Sequence, residues 1–121
     1  NIRFGRKHIS RERIIAVSKI AQIHNYISTL KNGYDTIIGT EGSTLSGGQQ
    51  QRITIARAIA DNPAIIIFDE ATSNVDYETA LMIIDDLKEY LSKRTTIFIS
   101  HQTYSNIQAD CIINLNGNGA N

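Results

Sequence analysis

The chain has 121 residues, 41% of them hydrophobic, with 12 basic and 12 acidic side chains and a formal net charge of zero. That balance lacks the basic excess of a nucleic-acid-binding chain. The lone Cys111 excludes an intramolecular disulfide framework and fits a reducing compartment, and no strictly apolar run is longer than that of Ala64 to Phe68, which falls far short of the roughly 20 residues that cross a bilayer. One soluble globular domain, or a piece of one, is the expectation. The segment Asn1-Ile2-Arg3-Phe4-Gly5-Arg6-Lys7 lacks the apolar stretch of a secretory signal. The chain starts without Met and finishes on Asn114-Leu115-Asn116-Gly117-Asn118-Gly119 and two further residues, so both ends read as cuts or linkers.

In chain order, Ser10 is the expected N-cap of a first helix entering Arg11-Glu12-Arg13. Ala16, Ile20, Ile23, Ile27 and Leu30 recur at helical spacing. They predict one apolar stripe over two helices with a bend near His24-Asn25, ended by the turn dipeptide Asn32-Gly33. Residues 34 to 46 read as loop. A helix is predicted from Gly47 to Ala60, with Ile53, Ala56 and Ala60 inward, Arg52 and Arg57 on other faces, and Asp61-Asn62-Pro63 as its stop. Ala64 to Phe68 has the pattern of a strand buried on both faces. Asp76 is the expected cap of the next helix, with Glu78 complementing its dipole and Ala80, Ile84, Leu87 and Leu91 inward. Thr95 to Ser100 predicts a second buried strand, Tyr104 to Ala109 a short helix, and Cys111 to Leu115 a third strand. Strand, helix, strand, helix, strand implies a parallel sheet with crossover helices. The fold class is therefore α/β, with a helical part over about 8–60 and an α/β part over about 61–116.

Two stretches carry chemistry. Glycines in Leu45-Ser46-Gly47-Gly48-Gln49 open a helix whose N-terminus favours an anion, and Ser46 adds a hydroxyl donor. Taken alone, Ser-Gly-Gly also describes an ordinary capped turn. Asp69-Glu70 ends the first strand, at the edge where open α/β sheets bind ligands. A carboxylate there can hold Mg²⁺, usually through water, and its neighbour can face an attacking water as general base. A solvated acidic loop has the same residues. His101 follows the second strand and reaches the same edge if the strands are parallel, placed to touch a phosphate or orient water. Ser73-Asn74-Val75-Asp76 reads as loop plus helix cap. His8 and His24 read as surface or packing residues, and no Cys/His set has zinc spacing.

In this order the pieces resemble the ATP-binding domain of ABC transporters, exporter type. Leu45-Ser46-Gly47-Gly48-Gln49 matches the family's signature letter for letter, and Gln51-Arg52-Ile53 with Ala56-Arg57-Ala58 resembles the helix after it. Ile65 to Asp69 looks like the Walker B strand, Glu70 like the catalytic glutamate, Ser73 to Asp76 like the D-loop and His101 like the switch histidine. Asn1 to Gly5 is similar to the segment after the Q-loop, and Asn32-Gly33-Tyr34-Asp35-Thr36 to the approach to the signature.

The resemblance implies a P-loop NTPase-like sheet portion plus a helical signature subdomain. It also implies ATP and Mg²⁺ as cofactors and a head-to-tail dimer with a second ATP-binding domain. Leu45, Ser46, Gly47, Gly48 and Gln49 would contact the nucleotide of that partner. Glu70 and His101 would be catalytic, Asp69 would hold Mg²⁺ through water, and Ser73 and Asp76 would lie at the dimer interface. Transmembrane domains would be the other partner, on the cytoplasmic face of a cell membrane, with no nucleic acid involved. Three departures stand out. No Gly-x-x-x-x-Gly-Lys-Ser/Thr loop occurs in the chain, so this stretch by itself is expected to bind MgATP weakly or not at all and to be inactive as an ATPase, and micromolar affinity in calorimetry would overturn that. Gly39-Thr40-Glu41-Gly42 replaces a Gly-Glu-Arg-Gly-like loop, and Gln102 stands where Arg is frequent. An ABC-type ATPase of DNA repair, chromosome or ribosome function would show long heptads or basic stripes, which this sequence lacks; a non-catalytic remnant is the remaining alternative.

Overall fold

A computed structural model describes residues 1–39, 45–72, 75–101 and 107–113. Among them the elements run α1 (Arg11–Ile20), α2 (His24–Thr29), a 3₁₀ turn (Gly33–Asp35), α3 (Gly47–Ala60), β1 (Ile65–Asp69), α4 (Tyr77–Leu91) and β2 (Thr95–Ile99).

Ser10 caps α1 by accepting the Arg13 N–H at 3.1 Å. The chain breaks at Ala21 to Ile23, where Gln22 takes a φ of 54°, and α2 follows at His24. The buried face of α1 differs from the expected stripe. Ala16 is exposed, and Ile14, Val17 and Ser18 point inward. This face lies against α3, and it places the larger β-branched side chains where they remove most apolar surface from water. Ser18 is tolerated there because its hydroxyl donates to the Ile14 carbonyl at 2.7 Å.

The central helix α3 occupies the span its sequence predicts, with Ile53, Ile55, Ala56, Ile59 and Ala60 buried. Its C-terminal carbonyls, which lack intrahelical donors, are met from three other segments. Arg6 donates to the Arg57 carbonyl at 3.0 Å. Arg13 donates to the carbonyls of Ile59 at 2.8 Å and Ala60 at 3.2 Å. The Tyr90 hydroxyl donates to Ile59 at 3.0 Å. The two guanidinium groups also complement the negative end of the helix dipole. Asn62 then adopts a φ of 55°, a conformation Asn tolerates better than most residues and one that turns the chain before Pro63.

β1 and β2 pair in parallel, Ile65 with Thr95 through to Asp69 with Ile99, and α4 carries the connection. Phe68 stacks on Phe98 with ring centroids 4.8 Å apart, locking the register one residue before the strand ends. The expectation that both strands are buried on both faces is corrected here. Ile66 and Phe68 are buried, but Ile65 and Ile67 are 63% and 60% exposed, and Ile97 and Ile99 are exposed alongside them. Apolarity on both faces becomes burial only where a second layer covers the sheet, and the described helices pack on one side.

The expected third strand is also corrected: Cys111 to Ile113 are exposed and take no strand conformation. A strand needs a neighbouring edge for its backbone donors and acceptors, and no such pairing forms there. Asn114 and Leu115 lie outside the described residues, as do Tyr104 to Asn106 of the expected short helix; Ile107 to Ala109 are irregular.

Asp76 caps α4, whose inner face is Ala80, Ile83, Ile84 and Leu87, with Leu91 half-buried instead of inward. Buried side chains of α1 and α3, together with Ile66 and Phe68 of β1 and Ile83 and Leu87 of α4, make one contiguous cluster. Both ends of the candidate site are therefore anchored in the same packed interior.

Candidate nucleotide site

The first part of the site is the entry to α3. Ser46 has extended backbone angles and its Oγ accepts the Gln49 N–H at 3.2 Å, while the Gln49 side-chain oxygen accepts the Ser46 N–H at 2.9 Å. This reciprocal capping box settles two backbone donors. The first intrahelical bond runs from the Gln50 N–H to the Ser46 carbonyl at 2.9 Å. The Gly47 and Gly48 N–H groups therefore have no intrahelical acceptor, and neither residue has a Cβ to hold an anion away. Ser46 and Gly47 are exposed, Gly48 and Gln49 half-buried, and Leu45 packs against the main core. The arrangement is a positively polarised, open helix start with a hydroxyl beside it.

The second part is the carboxyl end of the sheet. Asp69 is the last residue of β1 and is exposed. Glu70 follows in the left-handed region, φ 46°, a conformation that costs a non-glycine residue about 1–3 kcal/mol. Its N–H donates to the Ile99 carbonyl at 2.9 Å, continuing the parallel ladder by one bond. Its carbonyl accepts from the Gln51 amide of α3 at 2.8 Å. Its carboxylate oxygen Oε1 lies 2.8 Å from His101 Nε2. An ionised carboxylate only accepts, so this contact requires a proton on Nε2 of His101. With side chains 91% and 47% exposed, the pair contributes little to stability; its consequence is geometric.

Asp76 stands apart from that pair. Both its oxygens are engaged at the start of α4, one accepting the Thr79 N–H at 2.9 Å and the other the Thr79 hydroxyl at 2.7 Å. The Thr79 hydroxyl, then its backbone N–H, holds the Asp76 carboxyl below the ordinary aspartate range. Ser73 lies outside the described residues. His8 meets Asp61 at 2.6 Å and His24 meets the Tyr34 hydroxyl at 2.8 Å, and neither contact includes a residue of the signature turn or a strand-end carboxylate. Sequence reasoning missed Gln51: no periodicity distinguishes it from Gln50, and its importance depends on a contact 19 positions away.

Among the described residues no group of three or more His, Cys, Asp or Glu side chains gathers into a metal cage. Exposed carboxyls at a strand end nevertheless suit Mg²⁺, which keeps several waters and takes phosphate oxygens rather than demanding an all-protein shell. Asp69 fits that mode of binding.

The family model for ABC transporters matches residues 3–73, more than half of the chain. The chain belongs to that family, and its signature and strand-end carboxylates identify it as a segment of the ATP-binding domain. It is 47% identical, over 93% of its length, to a leukotoxin translocation ATP-binding protein of Mannheimia glucosida, and 49% identical, over 96% of its length, to an uncharacterized ABC transporter ATP-binding protein of Bacillus subtilis. It spans only 16% and 20% of those two relatives. A bacterial Atm1-family ABC exporter solved with ATP bound superimposes with a TM-score of 0.75 at 44% identity, covering 84% of this chain and 18% of the exporter chain. Among the described residues no helix is long and apolar enough to cross a membrane.

Proposed function

We propose that this chain is the signature-to-switch portion of an exporter ATPase and that Glu70 is the general base of ATP hydrolysis. The observation that carries the reading is the Glu70–His101 contact of 2.8 Å at the carboxyl end of a parallel strand pair, beside Asp69. Glu70 would take a proton from the attacking water, and His101 would hold the carboxylate in place and contact the terminal phosphate. Asp69 would hold Mg²⁺ through water, and that ion would offset phosphate charge. Gly47, Gly48 and Ser46 would donate to the γ-phosphate of ATP bound by a second ATP-binding domain, with Leu45 and Gln49 supporting that turn. Ser73 and Asp76 would face the same partner. Coupled transmembrane domains would convert hydrolysis into export from the cytoplasmic side. The likeness to ATP-binding proteins of exporters supports this assignment, as does the open, anion-favouring start of α3.

The test uses the full-length protein with its membrane domains. Glu70→Gln should keep ATP binding, measured by nucleotide titration, and reduce steady-state phosphate release by roughly 10²-fold or more. Turnover near the unmodified rate would remove Glu70 from the role of base.

A further inference from the structure

Glu70 can aim its carboxylate only while its own backbone is held in a conformation that glutamate disfavours. Two hydrogen bonds do the holding, and they come from different elements. The N–H is bound by the Ile99 carbonyl of β2 at 2.9 Å, and the carbonyl is bound by the Gln51 side chain of α3 at 2.8 Å. The Glu70 carbonyl can only accept, so the group facing it must be the amide nitrogen of Gln51. Gln51 is half-buried and sits one turn beyond the capped start of α3, the same helix that presents Gly47 and Gly48. A rotation of the Glu70 peptide would swing the carboxylate away from His101, and Gln51 opposes that rotation from the signature helix.

We infer that Gln51 is a positioning residue for hydrolysis: its amide fixes the Glu70 peptide in the left-handed conformation that directs the carboxylate toward His101. This rests on the assignment of Glu70 as general base. It makes the orientation of the base depend on where α3 stands, because the helix that presents the signature turn also holds the base's backbone. The link is a direct hydrogen bond and requires no longer chain of contacts.

The experiment measures ATP hydrolysis by the full-length protein carrying Gln51→Met, Gln51→Glu or Gln51→Lys, with Glu70→Gln run in parallel. Met and Glu keep the length of the side chain and lose the donor; Lys keeps a donor of sufficient reach. Gln51→Met and Gln51→Glu should lower kcat about tenfold with KM for ATP within about twofold of the unmodified value. Gln51→Lys should recover most of the loss. A merely structural role would follow side-chain size and melting temperature; the inferred role follows the donor. The inference is overturned if kcat in both Gln51→Met and Gln51→Glu stays within about twofold of the unmodified value. It is equally overturned if KM rises in step with the loss, or if Gln51→Lys is as slow as Gln51→Met. Should Glu70→Gln itself turn over normally, the assignment of Glu70 fails and this inference fails with it. An inactive Glu70→Gln beside a Gln51→Met and a Gln51→Glu of normal kcat overturns the Gln51 role alone.

Discussion

The two ends of the candidate site are built by opposite means. The start of α3 is local: Ser46 and Gln49 satisfy each other across three residues, the backbone is unstrained, and the glycines leave two donors open. The end of β1 is assembled from afar. Glu70 has a left-handed backbone held by Ile99, Gln51 and His101, which lie 29, 19 and 31 positions away in the chain. A helix start needs only its own first turn to display donors. A general base needs a direction as well as a charge, and direction in an unfavourable backbone conformation must be imposed by neighbours. The start of α3 should therefore tolerate distant changes that disable the acidic end.

The largest effect expected on this comparison comes from beneath both ends. Ile59 of α3 is fully buried, and its carbonyl receives Arg13 and Tyr90. Ile59→Ala should cost about 3 kcal/mol in denaturant unfolding, from lost burial and the residual cavity. Both ends should be lost in one transition; separate transitions by two local probes would show that they do not share a core. Next comes Ser46→Ala, which removes the cap acceptor of α3. It should cost about 1 kcal/mol and leave the Glu70–His101 contact in place, as judged by the His101 ring shifts in NMR. A change at His101 as large as that at α3 would deny the independence of the local end.

The smallest effect concerns Asp76. Its carboxyl is held below the ordinary aspartate range first by the Thr79 hydroxyl, then by the Thr79 N–H. The folded state therefore prefers the ionised form. The resulting stability is present above the usual aspartate pKa of about 4 and is lost as pH falls through the lowered folded value. Asp61, held down chiefly by His8, and Glu12, held down by its first-turn hydrogen bonds, contribute in the same direction. Asp76→Asn keeps a cap acceptor and removes the titration, so its loss of stability on acidification should be shallower than that of the unmodified protein. Identical pH profiles in urea unfolding would show that the Asp76 carboxyl contributes nothing to the acid limb.

Much of the helical architecture was legible because its causes are near in sequence. Ser10, Ser46 and Asp76 each cap a helix within three residues of their own position, and Pro63 ends α3 by restricting the residue before it. The face of α1 was not legible: Ala16 and Val17 are both apolar, and only packing against α3 turned Val17 inward and left Ala16 in water. The sheet shows the same limit from the other side. Ile65 and Ile97 have the apolarity of buried strand residues, yet the covering layer that burial requires is not a property of the strand. Cys111 to Ile113 show it again: their apolar character suits a strand, yet they take no strand conformation, because pairing with an edge is not a property of the segment itself.

The site divides in the same way. The sequence by itself determined the family and the chemical groups: a signature turn, a strand ending in Asp69 and Glu70, and a histidine after the next strand. These are covalent facts of residue type and spacing, and each motif is read within a few residues. Tertiary structure alone decided that His101 stands 2.8 Å from Glu70, that Glu70 takes a left-handed backbone and that the Gln51 amide of α3 holds it there. Those contacts exist because parallel pairing brings the ends of β1 and β2 together and a shared core sets α3 against them, and both join residues too far apart for local spacing to encode.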